Sequence, residues 1–186
     1  MTIPPVRRTI SVAWQPEAAF RRFTAEIGQW WPYRSHSVGG RKVKAVVFEP
    51  AVGGKIFEEH FDGRRFLWGT VLAWEPPRMV RFTWHPSRDP ETGQEVELTF
   101  KAEGTGTRLE LVHRGWEGLG ERGHREAKGY NIGWRYVLDV WAGKKGPFIV
   151  VLDLVAAGLT AFQRVKYIGK DPRNEAGGEL PSTGVS

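Results

Sequence analysis

Two ionisable side chains, Glu58 and His113, fall in strand-like patterns whose other members are apolar, and that placement decides what chemistry they can do. Leu109, Leu111 and His113 alternate with Arg108, Glu110, Val112 and Arg114, so His113 shares the face of the two leucines. After Gly53 and Gly54 the alternating set is Ile56, Glu58 and His60, and with Ile56 turned inward Glu58 turns inward too. A register slip of one residue would bury Glu59 instead and leave Glu58 in water. An inward carboxylate beside an inward imidazole makes an acid–base pair whose pKa values are pushed apart by the low dielectric. The same two groups also make sense as a self-satisfied structural pair, because a polar side chain on an apolar face must find a partner.

Nine tryptophans accompany them. An indole buries a large apolar area yet must place one N–H, so it suits a wall between apolar and ligand-bearing space. Trp30 or Trp31, Trp84, Trp116 and Trp134 are expected to line one cavity, with Trp14, Trp74 and Trp141 in core packing. Other signals fail. The five histidines, at 36, 60, 85, 113 and 124, lack metal-ligand spacing, and the absence of cysteine removes thiolate sites. Gly104, Thr105 and Gly106 join two strands rather than opening a helix, so they cradle no phosphate. Neither a metal nor a cofactor is expected.

The elements that must hold these residues fit within 186 residues, one domain with some chain to spare. Lys and Arg exceed Asp and Glu by 27 to 21, but the basic residues are scattered pairs such as Arg7 and Arg8 or Lys144 and Lys145, interleaved with acids. That reads as a solvated surface rather than a nucleic-acid interface. The N-terminal residues do not resemble a secretory signal, and a cytoplasmic location is expected.

Residues 6–13 read as a first strand, stopped by Trp14, Gln15 and Pro16. Two short helices follow, with Phe20 and Phe23 on one face and Ile27, Trp30 and Trp31 repeating the spacing before Pro32. From 42 to 114 period two returns in short segments cut by Gly, Pro and Asp, giving six strands joined as antiparallel hairpins. Alternation fails within 66–74, which marks a bulge near Leu72. Val80, Phe82 and Trp84 share the apolar face with Val96, Leu98 and Phe100. After 121 a stripe of Tyr130, Trp134, Val137, Leu138 and Trp141 defines one long amphipathic helix, the element left to cover that face. Residues 148–162 are strongly apolar but too short to span a membrane, and 170–186 have the composition of a flexible tail.

Seven motifs in order resemble the bacterial SRPBCC proteins, of START-like helix-grip fold, and among them the group named for the activator of a heat-shock chaperone's ATPase. They are Trp30 to Pro32, Val52 to Lys55, Trp68 to Pro77, Val80 to Trp84, Gly106 to Leu109, His113 to Trp116, and Gly133 and Trp134 with Leu138 and Asp139. The resemblance spans residues 6–142. It implies an α+β helix-grip fold: a curved seven-strand antiparallel sheet wrapped around a long C-terminal helix, with two short helices between the first two strands. It implies a domain over 1–146, to which an extra apolar helix at 147–169 and the tail at 170–186 would be added.

The resemblance implies a deep, mostly apolar cavity for a small molecule or lipid rather than one function; the function expected here is to bind or carry a small hydrophobic or aromatic molecule, or a lipid, between sheet and helix. The expected lining is Trp31, Ile56, Glu58, Trp68, Val80, Phe82, Trp84, Leu98, Phe100, Leu111, His113, Trp116, Tyr130, Trp134 and Val137. Alternatives are a cofactor-free cyclase or hydrolase using Glu58 and His113 in catalysis, and a chaperone-contacting module. A homodimer through 148–162 is a further expectation.

Overall fold

A computed structural model describes residues 2–86 and 88–144. The expected segments at 147–169 and 170–186, and a dimer contact through 148–162, lie outside the described residues.

Strand β1 (Val6–Val12) leads into helices α1 (Pro16–Phe23) and α2 (Ile27–Trp30). The meander follows as β2 (Val43–Phe48), β3 (Lys55–His60), β4 (Arg65–Glu75), β5 (Met79–Thr83), β6 (Glu95–Glu103) and β7 (Gly106–Arg114). A 3-10 segment at Trp116–Arg122 then enters helix α3 (Gly123–Trp141). The seven strands form one antiparallel sheet in the order β1-β7-β6-β5-β4-β3-β2, so the first strand closes onto the last.

Three pairings carry an extra residue: Lys44 between β2 and β3, Trp68 between β3 and β4, and Leu72 between β4 and β5. Each bulge bends its strand and increases twist, which curves the sheet. The break in alternation at Leu72 is one of these. At Trp68 the bulge serves the interior, because it sends the indole N–H to Glu58.

The inner face is built from register. Val80 pairs with Leu98, which pairs with Leu111, and Phe82 pairs with Val96, which pairs with His113. Helix α3 lays Trp134, Val137, Leu138 and Trp141 onto this face. It does not cover the face alone, as its stripe had suggested. Phe20 and Phe23 of α1 stack on Phe100 at 5.3 and 6.3 Å, and Trp30 of α2 packs on Phe23 at 5.2 Å. Tyr136, off the expected stripe, is also buried, its ring stacked on His36 at 4.8 Å. Among the described residues no helix is long and apolar enough to cross a membrane.

Candidate functional site

Glu58 and His113 are both fully buried, on β3 and β7, with three strands between them. Each has its own partners. The Glu58 Oε1 accepts from the Gly39 backbone N–H at 2.6 Å and from His60 Nε2 at 2.6 Å. Its Oε2 accepts from the Val38 N–H at 2.9 Å and the Trp68 indole at 3.1 Å. A carboxylate offers about four lone-pair directions, and here protein donors occupy them. The bonds fasten the loop between α2 and β2 to the sheet. Gly39 fits because a Cβ there would stand 2.1 Å from the His60 ring. Trp31 is tied to the same loop through its indole N–H, which donates to the His36 carbonyl at 2.7 Å.

His113 lies at the other end of an aromatic chain. Trp68 and Trp31 are 5.1 Å apart, Trp31 and Trp84 5.8 Å, and Trp84 and Trp134 5.4 Å between ring centroids. The Trp134 indole then donates to His113 Nδ1 at 3.0 Å. Around the imidazole stand Trp116 at 4.1 Å and Tyr130 at 4.9 Å. Burial, and secondarily the positive charge of Arg88, push the His113 pKa down to about 3. The ring is therefore neutral at ordinary pH. Because Nδ1 accepts, the ring proton sits on Nε2, and that N–H has no hydrogen-bond partner. Burial likewise pushes the Tyr130 hydroxyl pKa up, against the Arg88 charge and the Trp84 indole N–H, so the phenol keeps its proton.

The expected lining residues thus divide. Trp31, Trp68, Trp84, Trp116, Tyr130, Trp134 and His113 form one connected wall, all buried except the partly buried Tyr130. Ile56, Val80, Phe82, Leu98, Leu111 and Val137 are buried in the core that backs the wall. Phe100 faces Phe20, Phe23 and Trp141 at the far end instead. Glu58 joins the wall through Trp68, without a bond to His113.

Two features escaped the sequence reading. Gln94, immediately before β6, is 2% exposed, and neither its amide nitrogen nor its oxygen has a partner. Extending the Val96, Leu98, Phe100 alternation one step backward finds it. The second is an open surface groove of about 330 Å³ between α1 and the β4–β5 turn, lined by Phe20, Arg21, Thr24, Ala25, Trp74, Pro76 and Pro77 with Glu17 at its edge. Neither pattern nor motif pointed to it, since it arises from the packing of α1 beside a turn. Among the described residues no cluster of three or more His, Cys, Asp or Glu is placed to hold a metal.

A curved antiparallel sheet closed over a long terminal helix, with an aromatic wall between them, defines an α+β protein of the helix-grip class. The chain belongs to the family of Activator of Hsp90 ATPase homolog 1-like proteins, whose family model matches residues 13–141. Similar solved structures include an anthrahydroquino-gamma-pyrone synthase, Txn09, complexed with SUM, at 31% identity and TM-score 0.50, the match covering 68% of this chain and 86% of that one. CalC from Micromonospora echinospora, a self-sacrificing resistance protein, matches at 22% identity and TM-score 0.56, covering 76% and 93%. Protein MLL2253 from Mesorhizobium loti matches at 21% identity and TM-score 0.53, covering 75% and 95%. A search of curated proteins finds no match.

Proposed function

We propose that this chain binds a small, neutral aromatic molecule between the sheet and α3, beside His113. The observation that carries the reading is the aromatic wall from α2's end, β4, β5's end and α3, which converges on a buried neutral imidazole with an unpartnered N–H. An aromatic guest gains roughly 0.5–1.5 kcal/mol per good ring contact beyond area burial. The imidazole offers one directional hydrogen bond without the desolvation cost of a charge. The 31% identical relative supports the choice of guest, since the name of that synthase is that of a polycyclic aromatic. The outer groove supplies apolar area, but the one hydroxyl in it, on Thr24, is already bonded to the Phe20 carbonyl at 2.8 Å.

Catalysis by Glu58 and His113 together finds no support in their separation. A synthase-like role using His113 Nε2–H alone, as a donor to oxygen that gains charge in a transition state, is the second reading favoured by the same relative. Native mass spectrometry of the purified chain, with identification of any co-purifying compound, tests the binding reading. Titration with aromatic compounds followed by tryptophan fluorescence supplies the affinity. An aromatic guest that quenches the indoles is the expected result. Absence of any bound aromatic, and no response to added ones, would overturn it.

A further inference from the structure

Gln94 and His113 stand together on the inner face. Val96 pairs with Phe82 on one side and His113 on the other. One step along the same face, the Trp84 backbone N–H donates to the Gln94 carbonyl at 2.9 Å. Gln94 is therefore beside Trp84 and diagonal to His113, a spacing of roughly 7–8 Å that a long side chain spans. Across from Gln94 the chain has Gly115, at φ 87°, where a Cβ would meet the Gly93 carbonyl oxygen at 2.1 Å and the Gln94 Cα at 2.9 Å. Only backbone fits there, so no neighbouring side chain from that position reaches the amide.

Four buried polar atoms on this stretch of the inner face lack partners: His113 Nε2, the Trp84 indole Nε1, Gln94 Nε2 and Gln94 Oε1. Buried polar groups are nearly always paired, so the four together describe what is missing. The His113 and Trp84 ring N–H groups and the Gln94 amide N–H groups need acceptors, while the Gln94 carbonyl needs a donor. A carboxylate supplies acceptors only and leaves the Gln94 oxygen without a donor. The nearby Arg88 guanidinium already has a carboxylate partner, Glu126, at 2.8 Å.

Resting on the aromatic-binding reading above, we infer that Gln94 and His113 form the polar end of that site and select a neutral ring edge carrying an acceptor oxygen beside a hydroxyl donor, against a carboxylate on the same ring. Three naphthalenes test this on the full chain: 2,3-dihydroxynaphthalene, 2-naphthoate and unsubstituted naphthalene, each titrated against tryptophan fluorescence. The dihydroxy compound is expected to bind about tenfold or more tightly than either of the others, the gain of one or two well-made hydrogen bonds. Gln94→Leu removes both amide groups. His113→Asn keeps an acceptor for Trp134 but removes the Nε2 donor. Each is expected to erase about tenfold of the preference, read as the ratio of dihydroxynaphthalene to naphthalene affinity within the same variant.

If naphthalene binds but the hydroxyls add nothing, or Gln94→Leu leaves the preference intact, the inference is overturned and aromatic binding stands. Preference for 2-naphthoate overturns it equally. If none of the three binds, both readings fall. Should the variants not fold, the comparison on the wild-type chain decides alone. A crystal structure with 2,3-dihydroxynaphthalene is then read for what touches Gln94: ring oxygens support the inference, and a retained water in their place overturns it.

Discussion

Replacing Glu58 with Gln exchanges one acceptor oxygen for an NH2 group and leaves the shape unchanged. Whichever way the amide turns, it faces two donors. With NH2 in the Oε2 position, the Val38 N–H and the Trp68 indole lose their acceptor. With NH2 in the Oε1 position, the Gly39 N–H loses its acceptor, and His60 must move its ring proton to Nδ1, which has no partner either. Two buried donors are stranded in both cases. At about 1–3 kcal/mol for each, the loss is about 2–6 kcal/mol, a large share of the roughly 5–15 kcal/mol that holds a typical domain together. Urea unfolding should show a lower midpoint with an unchanged slope, because the surface exposed on unfolding is the same. Hydrogen exchange at the amides of Val38 and Gly39 should accelerate more than exchange in the middle of β6. An unfolding free energy within about 0.5 kcal/mol of wild type, with both loop amides still protected, would refute the argument that this carboxylate fastens the loop.

Three further outcomes are expected. His113 binds a proton in the unfolded chain near pH 6.5 but in the folded one only near pH 3, so its neutral burial is stabilising above the unfolded value and is lost as pH falls between the two; between pH 7 and pH 5 this amounts to about 2 kcal/mol, and His113→Leu should flatten that part of the stability profile. Trp134→Ala removes a wall residue and the bond to His113 Nδ1, so it should weaken binding of 2,3-dihydroxynaphthalene by about tenfold or more in a still-folded variant, and unchanged affinity counts against a guest beside α3. Ala25→Trp fills the outer groove; affinity should stay within about twofold of wild type, and a collapse of binding would move the site to the groove.

The periodic part of the fold was legible because burial on one face leaves a period. His113, Trp84 and Val96 were turned inward by that rule alone, and the bulge at Leu72 showed as its interruption. The polar partnerships were not legible. Glu58, His60 and Ile56 were all in one alternating set, yet the carboxylate's neighbour is His60, two residues along the same strand, rather than His113. A loop bonded through backbone amides, as at Val38 and Gly39, carries no side-chain pattern to read. Tyr136 lies off the apolar stripe yet is buried, because its ring stacks on His36 from a loop that carries no period to read. Gln94 stands one residue ahead of β6, which begins at Glu95, and element ends are where sequence patterns fade.

The closing of β1 onto β7 also sets an order of events. Val6 pairs with His113 and Val12 with Thr107, so the first strand to leave the ribosome has no ladder to join until the last strand has emerged. Strands β2 to β7 can zip as successive hairpins, each with short loops to close. Pairing of β1 must close the longest loop in the sheet, the kind of non-local step that slows folding. Until then β7 is an open edge, able to accept a strand from another chain. What that unsealed edge presents is a row of unpaired backbone N–H and C=O groups from Thr107 to His113.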